Sequence, residues 1–343
     1  MAKLIQFTHP QVEHTPLASS IKGKQTPYHF PWNNGTHKRK FLKGKGKYLL
    51  GSLENWQECE KDDLCFWCEA EWDTSCRPIN DIPKSNQMLP SPMPTFVHSF
   101  VSKGRERPGK NGVNTDPYIF GDYFKYTLCR QENHPSLRKL KQNDIIIFGS
   151  YMKCLSQNSP TMFAFFVDTV FVVNNTVRNI PQGIIPSKSI IKQSNGLITP
   201  DYYRRTLERL SSYDVSSTNS CAETNINITY EDSCSCNCSS RKPSNSSNQL
   251  PSLSLYSGIM YSSTNNSLFS FVPIRPDSQC YPRPLLNSLM VKDANGKMVN
   301  AIKPNPGPTG IKITEISSPQ QVWCEIVKHF LKQGYSLGVD FQE

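Results

Sequence analysis

The stretch Lys141-Gln142-Asn143-Asp144-Ile145-Ile146-Ile147-Phe148-Gly149-Ser150, with the apolar run Phe163 to Val173 behind it, decides the reading of the fold. A polar turn feeds four consecutive large apolar residues and a glycine closes them, which predicts a buried strand joined by a loose loop to a second one. On that second strand Phe163, Phe165, Val167, Thr169, Phe171 and Val173 share one face. Ala164, Phe166, Asp168, Val170 and Val172 share the other, because side chains alternate across a strand. Both faces are apolar, so the strand is expected to be covered on both sides. Turn-and-strand pairs of this kind build small β-barrels that hold nucleotides.

Working outward, Lys3 to Thr8 reads as a short strand stopped at His9-Pro10, where proline removes a ladder donor. Leu64 to Trp72, Thr95 to Val101, Leu253 to Met260 and Ser267 to Val272 also read as strands, with loops over Ile79 to Pro94 and Pro273 to Pro284. Ser136 is placed to cap a helical turn through Leu140. Pro200 to Ser211 carries Tyr203, Leu207 and Leu210 at helical spacing. Ser318-Pro319-Gln320-Gln321 combines a capping serine, proline at the first helical position and glutamine three residues after the cap. The helix it starts buries Val322, Ile326 and Phe330 and ends at Gly334. Residues 212–248 are rich in Ser, Asn, Thr and Cys, with too little apolar surface to offset ordering entropy, and read as a mobile insertion. The expected architecture is α+β: a mixed β-barrel core with peripheral helices, one composite domain over residues 1–211 and 249–343.

A formal charge of +10 favours anionic partners. The densest basic segment is His37-Lys38-Arg39-Lys40 followed by Lys43, Lys45 and Lys47. Phe30, Trp32, Phe41 and Tyr48 interleave with it, and rings beside cations suit base stacking next to phosphate contacts. No apolar run approaches the ~20 residues that cross a bilayer, and the first residues lack a leader pattern, so no membrane partner and a cytoplasmic location are expected. The 12 cysteines then default to free thiols. Cys65 and Cys68 form a single CxxC with irregularly spaced Cys59 and Cys76, and no metal ligand set is assigned. Neither GxGxxG nor GxxxxGK[ST] occurs, which disfavours Rossmann and P-loop folds.

Candidate chemistry falls on a few side chains. Asp168 sits among apolar neighbours, where an ionised carboxylate needs donors or a cation; a pocket acceptor or general base is the functional reading and a tied structural aspartate the plainer one. Trp67, Glu69 and Glu71 share a strand face, so an indole can stack on a base while a carboxylate accepts from its amine. Paired carboxylates, with Asp116 and Asp122, also suit a divalent cation. Histidines cluster early, at His9, His14, His29 and His37, and permit proton transfer or metal contact. Cys129 beside Arg130 is a weaker nucleophile candidate.

Several segments together resemble a known group. These are Phe7-Thr8-His9-Pro10 with Glu13-His14, His37 to Leu42, Phe66 to Glu71, Asp116 to Asp122 and Phe166 to Val173. They are similar to a group of uncharacterised, mostly bacterial proteins. Residues 136–175 with Leu268 to Pro273 resemble PUA-like domains, the class that includes ASCH and EVE modules, and nucleotide-modification-associated domains. The resemblance implies a pocket for a modified base or nucleotide, in genome defence or nucleic-acid modification. Asn143 stands where the barrel turn usually has glycine, a position asparagine tolerates.

The expected function is therefore binding of a nucleic acid or nucleotide. Lys38 to Lys47, with His37, Arg39, Lys40 and Arg105, would meet phosphates; Trp67 and Phe269 would stack; Glu69, Glu71 and Asp168 would accept hydrogen bonds. Such binding would weaken steeply with salt. The alternative is a metal-dependent nuclease or nucleotide hydrolase using His9, His14, Asp122 and Asp168 with nearby Glu69 and a divalent metal. An interaction protein meeting an acidic partner is a third reading. Charge patterning alone does not separate them.

Overall fold

The computed structural model describes residues 1–8, 29–30, 39–69, 75–78, 93–94, 96–99, 117–127, 131, 134–156, 159–180, 192, 194–199, 202, 253–276, 283–304 and 310–342. Two six-stranded sheets dominate it. The first runs β15 (Ile311–Ile316), β1 (Ala2–Thr8), β9 (Ile145–Ser156), β10 (Ser159–Ile180), β11 (Leu253–Gly258) and β8 (Lys125–Tyr126). The second runs β12 (Val272–Ile274), β16 (Ser336–Phe341), β3 (Arg39–Ser52), β7 (Phe96–Ser99) and β5 (Ser75–Pro78), with β4 (Asn55–Glu69) paired to β3. Two small pairs complete it: β2 (His29–Phe30) with β6 (Met93–Pro94), and β13 (Met290–Lys292) with β14 (Met298–Asn300).

This overturns the expected α+β barrel. More than half of the described residues are in strands, and α1 (Pro319–Lys332) is the one α-helix of any length among them. Both sheets keep open edges, β15 and β8 in the first, so no barrel closes. The fold is mainly β, with the sheets facing one another. Ile5, Phe7, Phe148 and Phe171 of the first pack with Leu42, Leu64, Phe66 and Phe341 of the second. On the other face of the first sheet, Leu4, Ile145, Ile147, Val170 and Val172 join Trp323, Ile326, Val327 and Phe330 of α1. That double cover explains the unbroken apolar run at Ile145 to Phe148. No described helix is long and apolar enough to cross a membrane.

Local expectations fared unevenly. Helix α1 begins and ends as its signals specify: the Ser318 hydroxyl accepts from the Gln321 N–H, and Gly334 adopts φ +79°. The turn after His134 is a 3-10 turn, Pro135–Lys139, with no side-chain cap; Ser136 lies inside it rather than at its start. The Tyr256 hydroxyl holds that turn instead, donating to the Leu137 carbonyl and accepting from the Leu140 N–H. Ser267 to Val272 is no continuous strand, since β12 starts only at Val272 and takes in Pro273. Of the expected helix over 200–211 only Tyr202 is described, and the insertion over 212–248 lies outside the described residues.

Gly149 was expected to close its strand, yet β9 continues to Ser156. Its role is set by β10, where the register against β9 shifts between Val167 and Thr169. Asp168 is the extra residue of that bulge, which reverses the alternation predicted for the strand. Val167 and Val170 consequently face the same cluster, and Phe171 and Val173 the opposite one. A Cβ at Gly149 would lie 2.1 Å from the Phe166 carbonyl oxygen, so only glycine fits opposite the bulge.

Candidate functional site

The bulge brings together two of the predicted site residues. Residues 283–286 run beside β10, with Val167 N–H donating to the Pro284 carbonyl and Leu286 N–H to the Phe165 carbonyl. This delivers Arg283 to Asp168: one guanidinium nitrogen donates to the carboxylate at 2.7 Å, with both side chains buried. The guanidinium carbon also stands 5.3 Å from the Trp67 ring centroid and 6.0 Å from that of Phe166. Trp67 packs on Phe41 with Val97 and Ala164 in the same cluster. Trp67 and Asp168 thus meet through Arg283, as part of a core. The Asp168 carboxylate there faces the Arg283 cation inside the core.

Phe269 is fully buried, its ring 4.7 Å from that of Trp323, and spends its surface on packing. Asp122 is exposed in the turn after Gly121, away from Asp168 in the interior. Its charge acts on Asp340, whose carboxyl is raised first by burial, against the pull of Lys47, and then by Asp122. His9, His14, His37, Lys38, Glu71 and Arg105 lie outside the described residues; Arg39, Lys40 and Glu69 are placed only as strand positions. Among the described residues no group of His, Cys, Asp or Glu could hold a metal ion.

The basic segment meets its match across the β3–β4 pair. Lys43 reaches Asp63 at 3.0 Å, Lys45 reaches Glu60 at 2.5 Å and Lys47 reaches Glu58 at 3.3 Å. By sequence β3 carries five cations and β4 five anions and one lysine, a net charge of +1 over the pair. Lys45 and Glu60 hold each other charged: their hydrogen bond raises the lysine and lowers the glutamate. The intervening Gly46 lets β16 approach, since a Cβ there would lie 2.8 Å from the Asp340 carbonyl oxygen.

An open groove lies elsewhere, at the end of the first sheet where the decisive turn sits. It encloses about 530 Å³ and is lined by Gln142 and Asn143 of that turn, Asn174 of β10, Tyr123, the loop from Ile259 to Leu268, and Gln320 of α1. Asn143 holds φ +69°, the left-handed geometry its short amide tolerates. Asp144 fixes the turn by accepting from the N–H groups of Lys3 and Lys141 with its two oxygens; burial nevertheless raises its carboxyl above the usual range. The wall opposite is a tight loop in which Ser262 and Asn265 exchange backbone hydrogen bonds. Of the described lining residues none is charged.

In the sequence Gln142 and Asn143 read as turn residues of the decisive stretch, and the other isolated Asn, Gln and Tyr of the lining carry no site signal. The one available signal was their recurrence at the same end of successive strands: Gln142-Asn143 before β9, Asn174 late in β10, and Tyr261 to Asn266 after β11.

Fold and groove together define an open, two-sheet, mainly β protein with a neutral, amide-lined cleft. No protein-family model matches the chain, and neither a curated protein nor a solved structure matches it.

Proposed function

We propose that this protein binds a nucleobase-bearing ligand, a nucleotide or a single-stranded nucleic acid, and that the base enters the groove between Tyr123, Asn143, Asn174 and the Tyr261 to Leu268 loop. The observation that carries this reading is the composition of the groove. Carboxamides complement the hydrogen-bonding edges of bases, and phenol rings offer stacking surfaces. Its volume of about 530 Å³ falls within the range of roughly 300–1,000 Å³ typical of small-ligand sites. Tyr123 stands at 38% exposure, an aromatic ring available to a ligand.

The test is fluorescence anisotropy with a mixed-sequence single-stranded oligonucleotide. Tyr123→Ala removes an exposed ring without opening the core, and affinity is expected to fall about tenfold, as loss of one stacked base does. Unchanged affinity would exclude the groove as the base site.

A further inference from the structure

Two carboxamides in the groove are already oriented by the protein. Asn265 Nδ2 donates to the Met260 carbonyl at 3.2 Å, and Gln320 Nε2 donates to the Ser267 carbonyl. Both accepting carbonyls belong to the loop that forms the groove wall. A carboxamide N–H₂ has two N–H bonds, and those of Gln320 are both engaged, the second by the Cys324 sulfur at 3.9 Å, which leaves its oxygen for whatever lies in front of it. Gln320, a groove-lining residue, is therefore left with Oε1 as an acceptor in a groove whose described walls carry no charge, while Asn265 keeps both an acceptor and one N–H. Rotating the Gln320 amide to offer a donor would break its bond to the loop and set its oxygen against a carbonyl.

We infer that the groove selects bases bearing an exocyclic amine, cytosine and adenine foremost, over uracil and thymine. This rests on the nucleobase reading above and adds its specificity. Cytosine N4 and adenine N6 are donors, whereas thymine and uracil place the O4 acceptor at the corresponding edge. An acceptor facing an acceptor leaves both unpaired, and unpaired polar groups at a desolvated contact are the larger cost.

The test compares ten-residue dC, dA and dT homopolymers on the full-length protein by anisotropy, with the dC and dT series repeated on Gln320→Leu and Gln320→Glu. Tighter binding of dC and dA than of dT by about tenfold is expected, the scale of one base-edge contact. Gln320→Leu should narrow that ratio several-fold, while Gln320→Glu, which keeps an acceptor, should retain it. Circular dichroism melts establish that α1 persists in both variants. Equal binding of all three homopolymers, or tighter binding of dT, overturns the inference and leaves the nucleobase reading standing. Absence of binding to every homopolymer, at concentrations where the mixed sequence also fails, overturns both. A preference for dC and dA that survives Gln320→Leu undiminished removes Gln320 from the selecting group and overturns its assigned role.

Discussion

The Asp168 side chain shows how much one inserted residue decides. An even alternation along Phe163 to Val173 would seat it on a uniform apolar face; the bulge instead turns it to Arg283 beneath the Trp67 indole. Burying two charges is costly, and their mutual attraction offsets that cost only while both are present. Removing one strips the other of this buried ion pair, and breaking such a pair typically costs about 3–5 kcal/mol. Asp168→Asn is thus expected to lower the unfolding free energy by about that amount in urea titrations. Pairing it with Arg283→Met should restore much of the loss, because the two charges are then removed from the core together. A cost for Asp168→Asn below about 1 kcal/mol would show that the pair is not held dry. The acidic character of position 168 was legible as a burial problem, and its solution was not, because Arg283 lies 115 residues away and approaches through an irregular segment.

Among elements, legibility follows how local the signals are. Helix α1 is written in adjacent residues, cap, proline, apolar spacing and terminal glycine, and it forms as written. The β3–β4 pair was open to misreading because Lys-Gly-Lys-Gly-Lys means one thing alone and another beside its partner. Alone it is a flexible cationic run. Paired, its lysines reach the acids of β4, while Gly46 lies tight against its β16 neighbour and Leu64. The two residue types should then respond oppositely to substitution. Gly46→Ala places a methyl group 2.8 Å from the Asp340 carbonyl oxygen and 3.1 Å from Leu64, and an overpacked site of this kind costs about 1–3 kcal/mol. Lys45→Ala should leave the thermal midpoint nearly unchanged, since an exposed ion pair contributes little. Calorimetry on the two variants checks the contrast. A destabilising Lys45→Ala with a neutral Gly46→Ala would reverse it.

At the scale of the molecule, net charge and binding site separate. The chain carries +10 overall, yet Lys43, Lys45 and Lys47 of β3 are paired and the described groove residues are neutral. Binding to nucleic acid should therefore have two components with different salt dependence. Diffuse attraction between a cationic protein and phosphates releases counterions and weakens steeply as salt rises. Seating a base among carboxamides and tyrosines releases none, so its contribution should be nearly independent of salt. The ratio of wild-type to Tyr123→Ala affinity isolates the second component, because the first is common to both proteins. That ratio is expected to hold within about twofold between roughly 50 and 200 mM salt, while both affinities fall together. Anisotropy titrations across this range measure it. A ratio that collapses toward unity as salt rises would mean that Tyr123 acts through phosphate contacts nearby, and the base would then have to be sought outside the groove.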